Sequence, residues 1–362
     1  FILPTHDTIA LTLMENADKL HAAPVCSCLE TAKLCRRKSL CYEKLNGTDL
    51  APKTYSSPEE VPIEDYPVFV KPDEGQGTVG AKKADNYEAL KAIYAETNRP
   101  VICQFLPGEE FTVDCFTNAK GELVYTNPRS RSRVQYGISA RAVSVKDSGE
   151  FYDFVSKLND NISFRGYWFA QLKRDNNGKL KLLEICTRFA GTFNHAQGTG
   201  VNLPLMALCD FAGMNAMPIV NNYSVTTDKS FVDRYRLDFD YSRVYVDYDD
   251  TITTQGGSEI NPYVMAYLYD CRRKHREIIL LTRHTHSKDD SLLDNMKKLA
   301  VPETLFDEII ELDWNDKKAD KIKTDKSCIL LDNSFAERLS VSQKLGIPVF
   351  DVCHVSCLFD WS

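Results

Sequence analysis

Apolar residues recur at helical spacing over residues 8 to 20 and 29 to 46, with Asn46-Gly47 as a stop signal. Pro52, Pro58 and Pro62 mark a loop, and YPVFVKPDEGQGTVGAKKADNYEALKAIYAE then reads as buried strand, glycine-rich loop and helix. The run VICQFLPGEEFTVDCFTNAKGELVYTN predicts two strands joined at Pro107-Gly108, followed by a hairpin over Ala119 to Gly121. PRSRSRVQYGISARAV is expected to be a basic loop. In residues 167 to 188, YWFAQLKRDNNGKLKLLEICTR, two apolar runs flank Asn177-Gly178. That dipeptide favours a two-residue type I′ turn, because both of its residues adopt φ > 0. A turn centred there sets Gln171 opposite Glu184, and period-2 alternation puts Glu184, Cys186 and Arg188 on one face. VNLPLMALCDFAG is expected to be a helix.

The pattern changes at SVTTDKSFVDRYRLDFDYSRV. Beyond it the strands VYVDYD, EIILLT, CILLDN and IPVFDV alternate with helical stretches near 261 to 274, 288 to 299 and 335 to 344. Such alternation implies a parallel, doubly wound α/β sheet. The expected organisation is a domain over 1–225, a linker over 226–242 and a second domain over 243–362.

A net charge of −7, without a basic block, gives no reason to expect a nucleic-acid partner. No apolar run approaches the roughly 18 to 20 residues that cross a bilayer, so no membrane partner is expected. The twelve cysteines are scattered, mostly in apolar segments, which suits a reducing cytoplasm. The spacing of Cys26, Cys28, Cys35 and Cys41 fits no common zinc site. The opening residues lack a signal peptide's features and read as mid-domain sequence, so residues upstream of Phe1 are expected.

Lys71 ends a strand before a loop carrying Gly75, Gly77 and Gly80. Glycines let backbone N–H groups approach phosphate oxygens, and the lysine adds a fixed charge; without a following GK[ST] this is not a P-loop. The amide oxygen of Gln171, the Glu184 carboxylate and the Arg188 guanidinium, converging on one face, suit a metal and phosphates. With these pieces in order, residues 1 to about 220 resemble the ATP-grasp superfamily, an α+β fold.

The resemblance implies ATP and Mg²⁺ as cofactors. It implies phosphate contacts from Lys38 and Lys71, with residues 75 to 80, including Thr78, as a loop over the phosphates. It places adenine against the main chain near Gln104, Phe105 and Leu106, and the ribose hydroxyls on Glu110. Gln171 and Glu184 correspond to Mg²⁺ ligands, and Arg188 lies beside the transferred phosphoryl group. The implied activity joins a small-molecule carboxylate to an amine through an acyl phosphate, with Arg129, Arg131, Arg133 and Arg141 as candidates to grip it. Two departures stand out: Cys186 replaces an asparagine of the family's metal motif, and Gln104 replaces a frequent glutamate. The segments are particularly similar to the carbamoyl phosphate synthase large chain, which needs two such halves and an ammonia supply; one half is present here.

Asp247-x-Asp249-x-Thr251 puts two carboxylates at the carboxyl edge of a parallel sheet, where open α/β folds bind ligands. With the elements after it, residues 243 to 357 resemble the haloacid dehalogenase-like hydrolases. That implies Asp247 as nucleophile, Asp249 as acid/base, and Thr282 on the phosphoryl group. It implies a lysine from Lys318 or Lys321, and Mg²⁺ on Asp247, Asp249 and Asp332. Asn333 stands where a second acidic residue is common. The short gaps leave no room for a large cap. The expectation is a bifunctional enzyme acting also on a phosphorylated metabolite, with oligomeric state open; the alternative is a nucleotide-binding regulator with decayed sites.

Overall fold

The computed structural model describes residues 1–75, 79–135, 138–230, 233–284 and 291–359. They divide into two compact units, Phe1–Asn194 with Asn202–Pro218, and His195–Val201 with Ile219–Ser362.

The first unit contains two antiparallel sheets. In the smaller, strands lie in the order Thr54–Tyr55, Pro100–Gln104, Val68–Pro72, Lys82–Ala84. Alternation buries Val68 and Val70 against Ala84, Ile102 and Leu90 of helix Tyr87–Glu96. Asn86 caps that helix by accepting from Ala89 N at 2.9 Å. In the larger, the order is Ile138–Ser144, Leu123–Gln135, Glu110–Thr117, Gly166–Arg174, Leu180–Cys186. One face of it packs Phe111, Val113, Trp168 and Leu172 with Phe154, Val155 and Leu158 of helix Glu150–Asn161. Each such side chain contributes about 1.5–3 kcal/mol when fully buried. The opposite face carries Glu110, Thr112 and Asp114.

Several expectations are corrected here. The 29 to 46 helix breaks at Arg37 (φ −115°, ψ 117°) into Leu29–Arg36 and Lys38–Lys44. Asp73 draws the chain out: its carboxylate accepts from Arg37 Nε at 2.7 Å and Ser39 N at 2.8 Å, and its carbonyl from Lys38 N. The first helix is shorter than 8 to 20, spanning Asp7–Glu15 before the short turn Ala17–Lys19. The strands on either side of Pro107-Gly108 do not pair; Pro100–Gln104 belongs to the smaller sheet and Glu110–Thr117 to the larger. The basic stretch is no loop: it forms most of strands Leu123–Gln135 and Ile138–Ser144. Arg129 and Arg131 fit a sheet because Asp114 and Glu110 on the adjacent strand pair with them.

The second unit has a five-stranded, all-parallel sheet in the order Glu308–Glu311, Glu277–Thr282, Arg243–Val246, Cys328–Leu331, Val349–Phe350. Alternation sends Val244 and Val246 to one core with Tyr267 and Ile329, and Tyr245 to the other with Ile279 and Leu330. Helices Pro262–Arg273, Leu292–Lys298 and Phe335–Leu345 alternate with these strands, close to the predicted positions. The edge strand Glu308–Glu311 was not anticipated, because four residues with a glutamate at each end carry little apolar signal. The stretch expected as a linker carries the antiparallel strands Val225–Asp228 and Arg234–Leu237, which bury Val225, Thr227 and Tyr235.

Candidate active site

Between the two sheets of the first unit lies an open cleft. Lys71 and Gly75 line it from the smaller sheet and its following loop, Gln104, Phe105 and Leu106 from the connection between the sheets. Glu110, Gln171 and Glu184 line it from the larger sheet, and Lys38 from a helix start. Gly80 is left-handed (φ +75°), where a Cβ would come within 3.1 Å of Pro72 Cγ. Gly77 and Thr78 fall outside the described residues.

Gln171 pairs with Glu184, but the path to that register differs from the expected one. Asp175 N donates to Lys179 O, so the turn is a three-residue loop of Asn176, Asn177 and left-handed Gly178. The pairing then runs Leu172 to Leu182, and a bulge at Leu183 restores Gln171 to Glu184. The bulge frees the Leu183 carbonyl, which accepts from Tyr42 Oη at 2.7 Å and Lys71 Nζ at 3.2 Å. Lys71 Nζ also donates to Tyr42 Oη at 2.6 Å.

Around Glu184 the site is dense with charge. Lys38 Nζ lies 4.0 Å from Glu184 Oε2, and burial, only partly offset by Glu184, lowers the Lys38 pKa. Arg131 Nε lies 2.9 Å from Glu110 Oε1. With its amide oxygen turned to Arg131, Gln171 accepts from Arg131 Nη1 at 2.5 Å and donates to Glu184 Oε1 at 3.3 Å. Burial pushes the Cys186 thiol well above its usual range, leaving it neutral and a poor ligand for a hard cation. Among the described residues no three His, Cys, Asp or Glu side chains converge on a metal position. The Glu184 carboxylate fits a cation that arrives already bound to phosphates, and the Gln171 amide oxygen joins it only when turned away from Arg131.

Two arginine expectations change. Arg129 is only 1% exposed and gives Nε and Nη2 to Asp114 at 2.8 and 3.2 Å, with Tyr167 Oη donating to the same carboxylate. Arg133 and Arg141 are paired across the strands and exposed. Arg131 alone of the four lines the cleft. Arg188 does not line it; its Nε donates to Asp7 at 3.0 Å and its guanidinium sits 5.1 Å from the Phe169 ring centre. Asp7 and Tyr42 escaped sequence reasoning, and neither carried a visible signal; Arg131 was among the four arginines expected at the site.

In the second unit, Asp247 follows strand Arg243–Val246 and Asp332 follows Cys328–Leu331. Lys318 Nζ donates to both, at 2.6 Å each, whereas Lys321 pairs with Asp316 at 3.3 Å. Thr251 Oγ1 donates to Asp247 at 3.2 Å and accepts from Asn333 N at 3.0 Å. His284 Nδ1 lies 2.9 and 3.0 Å from the Asp249 oxygens, and burial raises the Asp249 pKa. Burial and then Asp247 push the Asp332 carboxyl up to about 6. The Thr282 hydroxyl is buried without a partner among the described residues. Two carboxylates close enough to share one ammonium, one of them still under-compensated, fit an added hard cation. The unmatched Thr282 hydroxyl fits an incoming oxygen.

A family model described as ATP-grasp in the biosynthetic pathway with Ter operon matches residues 96–231. No curated protein matches the chain. Among solved structures, biotin carboxylase of Campylobacter jejuni in its β,γ-ATP complex is similar at 15% identity and TM-score 0.56, over 63% of this chain and 58% of that one. The biotin carboxylase domain of Hydrogenobacter thermophilus 2-oxoglutarate carboxylase, with MgADP, ADP and bicarbonate, gives 16% and 0.56 over 63% and 58%. Rhizobium etli pyruvate carboxylase gives 13% and 0.53 over 63% and 23%. The chain therefore spans less than two thirds of each of these structures.

A cleft floored by one antiparallel sheet and covered by another is shared with these structures: the first unit has the ATP-grasp fold. Its particular relatives in fold are the biotin carboxylases just described.

Proposed function

We propose that the chain is an ATP-dependent carboxylate–amine ligase whose second unit is a phosphohydrolase of the haloacid dehalogenase type. The observation that carries the first half is the convergence of Lys38, Lys71, the Gln104–Leu106 connection, Glu110 and Glu184 on one cleft. Lys38 and Lys71 hold phosphate oxygens, the backbone at Phe105 and Leu106 meets adenine, and Glu110 takes the ribose hydroxyls. Glu184 and Gln171 would hold Mg²⁺ carried on the nucleotide, which when bound would supply charge neutralisation for the leaving phosphate. The acid's oxygen attacks the γ-phosphorus and ADP leaves; the amine then attacks the acyl carbon, and phosphate leaves with the electron pair of the broken C–O bond.

In the second unit Asp247 attacks phosphorus while Asp249 protonates the departing oxygen. Asp249 then takes a proton from water, which hydrolyses the aspartyl phosphate. Lys318 and Thr282 hold phosphoryl oxygens, and Asp247 and Asp332 would hold Mg²⁺. The substrates are a small carboxylate, an amine and a phosphorylated metabolite, and the compartment is the cytoplasm, a reading supported by the twelve free cysteines. Among the described residues no helix is long and apolar enough to cross a membrane.

The test is ADP formation over a panel of small acids and amines, bicarbonate with ammonia included, for wild type and Glu184→Gln. Turnover that needs an acid and disappears in the variant supports the ligase. Carbamoyl phosphate from bicarbonate and ammonia selects the carbamoyl phosphate synthase-like form. ATP binding without turnover on every pair selects the regulator, a reading favoured by the Arg131 hold on Gln171 and by neutral Cys186. For the second unit, aryl phosphate hydrolysis with Mg²⁺ is expected in wild type and lost in Asp247→Asn.

A further inference from the structure

In the second unit the carboxylates assigned above as nucleophile and acid are held unequally. Asp247 accepts from Lys318 Nζ at 2.6 Å and from Thr251 Oγ1 at 3.2 Å. Asp332 accepts from Lys318 Nζ at 2.6 Å and from Ser334 N at 2.7 Å. The Asp249 side chain is 35% exposed, and among the described residues its carboxylate meets one hydrogen-bonding group, Nδ1 of His284, at 2.9 and 3.0 Å from its two oxygens. The backbone beside Asp249 is already fixed: Asp250 is left-handed (φ +52°), and its N donates to Thr253 Oγ1 at 3.2 Å. What remains is rotation of the carboxylate about its own side-chain bonds. A contact shared by both oxygens restrains that rotation.

His284 is itself firmly seated. It is 8% exposed, and its ring meets the Tyr248 ring edge-on, with centres 5.8 Å apart and planes at 82°. Tyr248 is fully buried, and its Oη donates to Asn295 Oδ1 at 2.9 Å. The imidazole follows strand Glu277–Thr282, two residues beyond the hydroxyl assigned to the phosphoryl group. One strand end therefore carries both the phosphoryl contact and the holder of the acid. An Nδ1–H given to one oxygen of Asp249 leaves the other oxygen to carry a proton to the ester.

We infer that His284 is the positioning residue of the second unit's acid: it holds the Asp249 carboxyl in the orientation that protonates the leaving oxygen. The inference rests on the phosphohydrolase reading for the role of Asp249. As the Asp247 oxygen bonds to phosphorus, the ester P–O bond breaks, and its electron pair takes the proton from Asp249. His284 acts by holding and exchanges no proton in this step. Its effect therefore scales with how much the leaving group needs a proton. Phenolate needs one; dinitrophenolate, stable as an anion, leaves without it.

The experiment measures kcat/KM of the full chain with Mg²⁺ on phenyl phosphate and on dinitrophenyl phosphate. The comparison runs over wild type, His284→Leu, His284→Ala and His284→Asn. His284→Leu keeps bulk against Tyr248 and His284→Ala removes it, so a packing failure in one leaves the other to decide. In either, the phenyl to dinitrophenyl ratio of kcat/KM should fall about thirtyfold. His284→Asn, whose amide N–H can take the place of Nδ1, should return the ratio to within about threefold of wild type. Turnover of the dinitrophenyl ester in each variant reads an intact Asp247 site. An equal fall on both esters in both apolar variants would make His284 a merely structural residue and overturn the inference. A ratio in His284→Asn as low as in His284→Leu would also overturn it, because the imidazole would then act by more than holding. Wild type that hydrolyses neither ester sinks the phosphohydrolase reading and the inference with it, whereas equal losses in an active enzyme sink the inference alone.

Discussion

Lys71 donates to the carbonyl oxygen of Leu183, a residue 112 positions away, because Leu183 is the extra residue of a β-bulge. A regular ladder would have tied that carbonyl to the neighbouring strand. The bulge instead aims it at the cleft, where Tyr42 completes a three-membered polar cluster with Lys71.

Tyr42→Phe tests the cluster. It removes the donor to Leu183 O and the acceptor for Lys71 within a buried environment. A stability loss of about 1–3 kcal/mol is expected in denaturant unfolding. Nucleotide affinity should fall about tenfold, because Lys71 is no longer held in one orientation. An unchanged affinity with the expected stability loss would make the cluster purely structural.

Gly108 is required at the crossing between the two sheets. A Cβ there would lie 2.6 Å from Arg174 Cβ and 2.9 Å from the Arg174 carbonyl oxygen, and Gly108 N donates to that same oxygen. Gly108→Ala must therefore push the two backbones apart, at a cost of about 1–3 kcal/mol. Thermal unfolding checks the cost. A parallel loss of nucleotide affinity is expected, because Phe105 and Leu106 sit on the same connection.

The sequence read the elements better than it read their joints. Asn177-Gly178 was a true turn signal, yet the loop holds three residues; the bulge at Leu183 shifts the register by one and returns Gln171 to Glu184. Two offsets cancelled. No glycine or proline marks the bulge in LKLLEI, so pattern alone could not reveal it. Pro107-Gly108 looked like a hairpin because turn chemistry is local, whereas the sheet a strand joins is decided by distant partners. Arg129 is indistinguishable from Arg133 in the sequence; only the adjacent strand shows that Asp114 buries the first and nothing buries the second. In DKKADKIKTDK every lysine looked equivalent, and packing selected Lys318.

Thr282 and Lys318 make a contrasting pair in the second unit. Thr282→Val removes a buried hydroxyl that has no partner, so the fold should be unchanged or more stable by about 1 kcal/mol. Phosphate ester turnover should nevertheless fall at least tenfold. Lys318→Met leaves Asp247 and Asp332 buried without their cation and should cost about 3–5 kcal/mol. Added Mg²⁺ should recover part of that loss, and urea unfolding with and without Mg²⁺ reads both effects. A Thr282→Val protein with full turnover would remove the hydroxyl from the site.

The pH dependence of the second unit follows from His354. Its Nδ1 accepts from Asp351 N at 3.0 Å, its Nε2 has no partner among the described residues, and burial holds its pKa down at about 4. The unfolded imidazole takes its proton near 6.5. The unfolded chain therefore binds more protons than the folded one between these values, and stability rises with pH there. The contribution is fully present above pH 6.5 and is lost as pH falls towards 4, a span of about 3 kcal/mol. Asp332, raised to about 6, works the other way between pH 4 and 6, because its folded form prefers the proton. The two are separated by comparing wild type with His354→Asn, whose amide oxygen can still accept from Asp351 N. The difference between the two proteins should shrink in wild type's disfavour as pH falls from 7 to 4. A difference that stays constant over that range would mean that His354 takes up its proton at the same pH in the folded chain as in the unfolded one, with no effect of burial.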